Sequence, residues 1–215
     1  MSKKTTILFD FDGGVIADTE PQYDIYIDAL GEKYNLGIEN FALQVKGTTS
    51  PDILKKYFSH FSKKEQDIVG KELAEFELKM DFPPVTGVME FIDYLKSKGY
   101  KLGLVTSSQD FKMERALSIM GLNKVFDVEV TAARITEGKP NPMCYLLAAK
   151  DLNISPNECI VFEDSFHGIK AGKDAGMYVV GLSTTIPADQ LEGKADCVIP
   201  DFSDLNKVIE IIEKA

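Results

Sequence analysis

Cysteine is scarce in this sequence and positive charge is outnumbered by negative, and each fact narrows what the chain can be. Only three cysteines occur, Cys144, Cys159 and Cys197. They form neither an even framework nor a metal-type spacing, so buried thiols in a reducing compartment are expected rather than disulfides. Lysine and arginine total 24 against 34 acidic residues, for a formal net charge of -10. That balance lacks the broad basic footprint of a nucleic-acid binder. It leaves room for a small anionic substrate, because a local pocket of lysines and backbone N–H groups can oppose the overall charge. No apolar run approaches the roughly 20 residues of a membrane span. No signal-peptide core follows residues 1–6, so a cytoplasmic location with no membrane partner is expected.

What is present reads as globular. Hydrophobic residues make up 44% of 215 positions and charged residues 27%, which suits one sizeable domain carrying a modest insertion. Short apolar runs at 6–9, 101–105, 128–131, 159–162, 178–182 and 197–199 look like buried strands. Helical periodicity fills the gaps at 88–98, 111–120, 142–151 and 168–175, with Gly99, Gly121 and Gly176 where C-caps are expected. Strands alternating with helices predict an α/β fold, a Rossmann-like doubly wound parallel sheet. Residues 19–80 break the rhythm. They offer helices at 23–33, 51–58 and 63–79 and no strand, with Ile25, Ile27, Leu30, Ile68, Leu73 and Phe76 as inner faces of a small bundle. The expected division is a core of 1–15 and 83–215 with an inserted α-helical cap domain at 16–82.

Four segments carry chemistry. The first strand ends in Asp10-Phe11-Asp12-Gly13, and open α/β sheets bind ligands at the carboxyl ends of their strands. One carboxylate there can attack phosphorus, while a second can protonate a leaving oxygen and later activate water. Taken alone, the pair reads equally well as a solvated turn. A second buried strand ends in Thr106, Ser107 and Ser108, hydroxyls suited to phosphate oxygens at a helix N-terminus or simply to capping. Lys139 sits in the loop Glu137-Gly138-Lys139-Pro140-Asn141-Pro142, where an ammonium can neutralise a phosphoryl group. Glu163 and Asp164 close another apolar strand and, with Asp10, would make an oxygen-rich site for magnesium.

In this order the segments resemble the haloacid dehalogenase superfamily across essentially the whole chain. The helical insertion is similar to that family's small-cap members, the beta-phosphoglucomutase and phosphoglycolate phosphatase relatives. The resemblance implies roles residue by residue. Asp10 would be nucleophile and metal ligand, and Asp12 the general acid/base that lends its backbone carbonyl to the metal. Thr106, Ser107 and Lys139 would hold the phosphoryl group. Asp164 would bind Mg2+, with Glu163 supporting the metal shell. The presence of Asp12 argues against a true dehalogenase.

Two departures from the pattern stand out. One glycine, Gly13 or Gly14, is extra between Asp12 and Asp18, which predicts a freer hinge into the cap. The cap loop Lys46, Gly47, Thr48 and Ser50 resembles the mutase specificity loop, with Ser50 in place of an arginine and Tyr23 in place of a histidine. Loss of the arginine fork weakens a mutase reading. The expectation is therefore a monomeric, magnesium-dependent phosphatase of a small phosphorylated metabolite. A phosphomutase and a non-catalytic phosphometabolite binder are the alternatives.

Overall fold

The structure is a computed structural model that describes residues 4–45, 50–108 and 110–215. It divides into two compact units, one of Met1–Asp18 with Phe82–Ala215 and one of Thr19–Asp81.

The first unit is built on six parallel strands: β1 (Thr6–Asp10), β2 (Lys101–Val105), β3 (Val128–Val130), β4 (Cys159–Glu163), β5 (Tyr178–Leu182) and β6 (Cys197–Ile199). Their spatial order is β3-β2-β1-β4-β5-β6, the doubly wound order of Rossmann-like sheets. Helices cover both faces, so the central strands have no polar side and read as unbroken apolar runs. Side-chain alternation divides β1 between two cores. Leu8 joins Val161, Tyr145, Ala148 and Ile169 on one face. On the other, Phe9 stacks on Phe162 at 5.6 Å and meets Phe91 edge-on at 6.0 Å.

The order changes direction between β1 and β4. Phe9 pairs with Phe162 across that junction, and Asp10 pairs with Val105 on the other side. The residues that follow these pairs therefore leave the sheet side by side, at the crevice where open α/β sheets place ligands.

The second unit is helical: α1 (Glu20–Lys33), α2 (Phe41–Val45), α3 (Ser50–Tyr57) and α4 (Lys63–Lys79). Ser62 and Glu65 form a reciprocal capping box that fixes the start of α4. The unit's core gathers Ile27, Leu30, Phe41, Ile53, Phe58 and Leu73. Ile25 and Ile68, expected on inner faces, are instead exposed at 73% and 44%. The 3.6-residue stripe in α1 centres on Ile27 and Leu30, and Ile25 lies about 200° of helical rotation from Ile27.

The remaining helices belong to the first unit: α5 (Val88–Ser97), α6 (Asp110–Met120), α7 (Met143–Asp151), α8 (Phe166–Asp174), α9 (Ala188–Leu191) and α10 (Leu205–Lys214). Gly99, Gly121 and Gly176 adopt positive φ of 71–76°, as C-cap glycines do. All three cysteines are free. Among the described residues no helix is long and apolar enough to cross a membrane.

Candidate active site

In the first unit the ends of β1, β4 and β5 and the loop before α7 bring charged and polar side chains together. Asp10 is the last residue of β1, and Glu163 and Asp164 end and follow β4. All three are buried, and one carboxylate oxygen from each falls within 4.8 Å of the others. Among the described residues this is the one acidic group so arranged.

Lys139, from the loop before α7, reaches into the cluster. Its ammonium donates to Asp10 Oδ1 and, at 2.5 Å, to Glu163 Oε1. The loop is braced by Asn141, whose N–H donates to the Gly138 carbonyl and whose Oδ1 accepts from the N–H of Met143 at the start of α7. Glu163 is fully committed. Its Oε1 also accepts from the Tyr145 hydroxyl at 3.1 Å, and its Oε2 accepts from the N–H and hydroxyl of Ser165. The Ser165 hydroxyl then caps α8 by accepting from the Gly168 N–H. Asp164 accepts from the hydroxyl of Thr185, in the loop after β5.

Three carboxylates facing one ammonium set the electrostatics. Burial pushes the Asp10 carboxyl well above the usual range, and Lys139 only partly opposes this. Burial, then the charge of Glu163, pushes Asp164 up to about 7. Burial alone would lower Lys139, but the Asp10 and Glu163 charges outweigh it and hold the ammonium well above its ordinary value. Burial and Glu163 together raise the Tyr145 hydroxyl, so it serves as a donor. Repulsion among the acids is thus relieved by protons, which is the condition a divalent cation would replace. With Glu163 occupied by its four donors, Asp10 and Asp164 supply the oxygens left for a hard cation.

The other expected residues are placed less uniformly. Thr106 is buried at the end of β2, and its hydroxyl accepts from the Ser108 N–H at 2.9 Å. Ser107 is exposed. The side chain of Asp12 lies outside the buried trio. It pairs with Lys112 of α6 and accepts from the Ser108 hydroxyl at 2.8 Å. Tyr23 sits in α1, packed against the core of the helical unit with its ring 6.1 Å from that of Phe76. Lys46, Gly47 and Thr48, and the side chain of Ser50, lie outside the described residues. His60 and His167 are exposed. Sequence reasoning did not single out Tyr145, Lys112, Ser165 or Thr185. Tyr145, Ser165 and Lys112 carried a local signal, since each follows a recognised motif within a few residues; Thr185 carried none.

The expectation of a loose glycine hinge is not met at Gly13 and Gly14. Both are buried in a tight turn in which the N–H groups of Val15 and Ile16 donate to the Phe11 carbonyl. The Gly13 carbonyl accepts from the Thr184 hydroxyl at 2.6 Å.

Comparison with known proteins supplies the identity. The description of haloacid dehalogenase-like hydrolases matches residues 7–182. The validoxylamine A 7'-phosphate phosphatase of Streptomyces hygroscopicus is 31% identical, over 92% of this chain and 94% of its own. A phosphorylated carbohydrates phosphatase of Thermotoga maritima is 32% identical, over 96% of this chain and 99% of its own. The crystal structure of beta-phosphoglucomutase from Clostridium difficile superposes with a TM-score of 0.71 at 26% identity, covering 98% of this chain and 97% of that one. The family description spans β1 to β5 and so takes in every strand end that builds the acidic cluster, and the chain belongs to the haloacid dehalogenase-like hydrolases, as a phosphoryl-transfer enzyme.

Proposed function

We propose that this protein is a magnesium-dependent phosphatase that hydrolyses a small phosphorylated carbohydrate through an aspartyl-phosphate on Asp10. The observation that carries the reading is the buried trio of Asp10, Glu163 and Asp164 around Lys139 at the β1/β4 junction. A structural ion pair would need one acid per lysine. Two further carboxylates buried beside it cost stability unless a ligand uses them. Of two relatives that match this chain almost end to end, one is named a validoxylamine A 7'-phosphate phosphatase and the other a phosphorylated carbohydrates phosphatase, which supports the substrate class.

The chain's own residues account for the steps. Asp10 presents a carboxylate oxygen to phosphorus, held in place by the Lys139 ammonium. The phosphoryl oxygens meet Lys139 and the Thr106 hydroxyl, which accepts from Ser108 and so has its own proton to give. Asp12 protonates the departing ester oxygen, then takes a proton from the water that hydrolyses the aspartyl-phosphate. Magnesium, held by Asp10, Asp164 and the Asp12 carbonyl, would supply charge neutralisation for the transferring phosphoryl group. Glu163 orients Lys139 and Ser165 instead of binding the ion directly. The helical unit of Thr19–Asp81 is the cap of this reading, with Tyr23 and the segment 46–50 as the candidates for recognising the alcohol.

A phosphomutase is the second reading, favoured by the likeness to beta-phosphoglucomutase. Returning the phosphoryl group to a sugar needs a grip on both ends of a bisphosphate, and Ser50 offers no arginine-type fork. Incubation of glucose 1-phosphate, glucose 6-phosphate and a panel of other small phosphate esters with Mg2+ and a bisphosphate primer decides between them. The expected product is inorganic phosphate with free alcohol, lost on chelation and restored by magnesium. A rearranged sugar phosphate without phosphate release would establish the mutase, and turnover in excess chelator would remove the metal from the reading.

A further inference from the structure

The two acids of the Asp10–Asp12 motif are answered by two different lysines. Lys139 serves Asp10, while Lys112 Nζ lies 2.7 Å and 2.9 Å from the two oxygens of Asp12. The Ser108 hydroxyl donates to Asp12 Oδ2 at 2.8 Å. Lys112 is the third residue of α6, which begins at Asp110. A helix N-terminus carries positive partial charge and disfavours a cation in its first turn. A lysine placed there against local preference, with its side chain only 22% exposed, is the kind of conflict that marks function. The buried side of α6 is made by Met113, Ala116 and Leu117.

We propose that Lys112, together with Ser108, is a positioning site for Asp12 that serves proton transfer to the leaving group. This rests on the reading of Asp12 as the acid/base residue. In the first half-reaction the Asp10 oxygen–phosphorus bond forms and the phosphorus–ester oxygen bond breaks. The carboxyl proton of Asp12 passes to that ester oxygen, so the alcohol departs neutral and Asp12 is left as a carboxylate. Lys112 and Ser108 then cover both of its oxygens and fix its direction. In the second half-reaction water attacks phosphorus, the bond to Asp10 breaks, and Asp12 recovers its proton from the water. The contribution of Lys112 and Ser108 is therefore largest when the leaving oxygen needs a proton, as an alkoxide does, and smallest when it departs readily as an anion, as 4-nitrophenolate does.

The test compares kcat/KM for glucose 6-phosphate and 4-nitrophenyl phosphate in the intact chain with saturating Mg2+. In Lys112→Met the loss on the sugar ester should exceed the loss on the aryl ester by about 10-fold or more. Ser108→Ala should shift the same ratio in the same direction by a smaller factor, and it keeps the test alive if Lys112→Met does not fold. A merely structural lysine would lower both values equally, and that result overturns the proposal, as does no loss on either ester. Asp12→Asn separates this failure from failure of the underlying reading. If Asp12→Asn shows the leaving-group split and the other variants do not, only the role of Lys112 falls. If Asp12→Asn shows no split, or the unsubstituted enzyme turns over neither ester, the reading of Asp12 falls and takes the proposal with it.

Discussion

Replacing Asp164 by Asn should make the metal-free protein more stable, and increasingly so as pH rises. Asp164 is 5% exposed and sits beside Glu163 and Asp10. Burial first, and Glu163 second, raise its carboxyl from 3.8 to about 7, although Thr185 and Lys139 work the other way. The sign follows from proton counting. Between the two values the folded state holds a proton that the unfolded chain has released, so stability falls as pH rises through that window. At about 1.4 kcal/mol for each tenfold change in proton affinity, the ionised group costs the fold about 4 kcal/mol above pH 7. Asn imitates the neutral form at every pH and escapes this cost. Its advantage over the unsubstituted chain should therefore grow by about 3 kcal/mol between about pH 4.5 and pH 8. Taking the difference between two pH values cancels any constant cost of burying an amide. Urea unfolding in excess chelator, with both proteins measured at both pH values, reads the quantity directly. An advantage that stays flat with pH, or that shrinks toward pH 8, would refute the electrostatic account of the cluster. Added Mg2+ should reverse the ranking at about pH 8, because it stabilises only a fold that can bind it.

The other expectations concern the same cluster. Asp10→Asn should lower turnover by at least about 10^3-fold, since an amide is not a competent nucleophile; an unchanged circular dichroism spectrum would show that the fold survives. Lys139→Met strips the cation from Asp10 and Glu163 and should cost about 3–5 kcal/mol at pH 8. The loss should be smaller at pH 5, where protons can replace the ammonium, and urea titrations at both values check it. Tyr145→Phe deletes one donor to the Glu163 carboxylate and should cost about 1.5–3 kcal/mol, while leaving the response to magnesium in thermal melts intact.

Much of this fold was legible because its signals are local. The strands 101–105, 178–182 and 197–199 and the helix 63–79 fall where the sequence places them, since a strand buried on both faces is a short apolar run bounded by turns. Three helices were not anticipated: α2, α9 and α10. The first two span five and four residues, too short for periodicity to register. The third was within reach: Asp204 caps it by accepting from the Lys207 N–H, and Val208 and Ile212 mark its buried side. Ile25 shows the limit of pattern reading, because one exposed isoleucine on a helix is ordinary and sequence cannot tell it from its buried neighbour Ile27.

At the site, motif residues were legible and their supports were not. Asp10, Lys139, Glu163 and Asp164 announce themselves through type and position, but Thr185 is joined to Asp164 only by folding, 21 residues along the chain. The glycine pair makes the same point from the opposite side. As sequence, Gly13-Gly14 reads as slack. In the structure Gly13 has φ +81°, and a Cβ there would collide with Asp164 Oδ2; one on Gly14 would collide with the Asp10 carbonyl. Both positions lack a side chain because the backbone passes directly against the end of β1 and the Asp164 side chain. Gly13 adds the positive φ that L side chains rarely adopt. The extra residue is thus absorbed inside the turn closed by the Gly13 N–H to Ile16 carbonyl bond of 2.7 Å, within the first unit and before its boundary at Asp18. A Gly-Gly pair that reads as slack in the sequence is thus held against the Asp10 backbone and the Asp164 side chain.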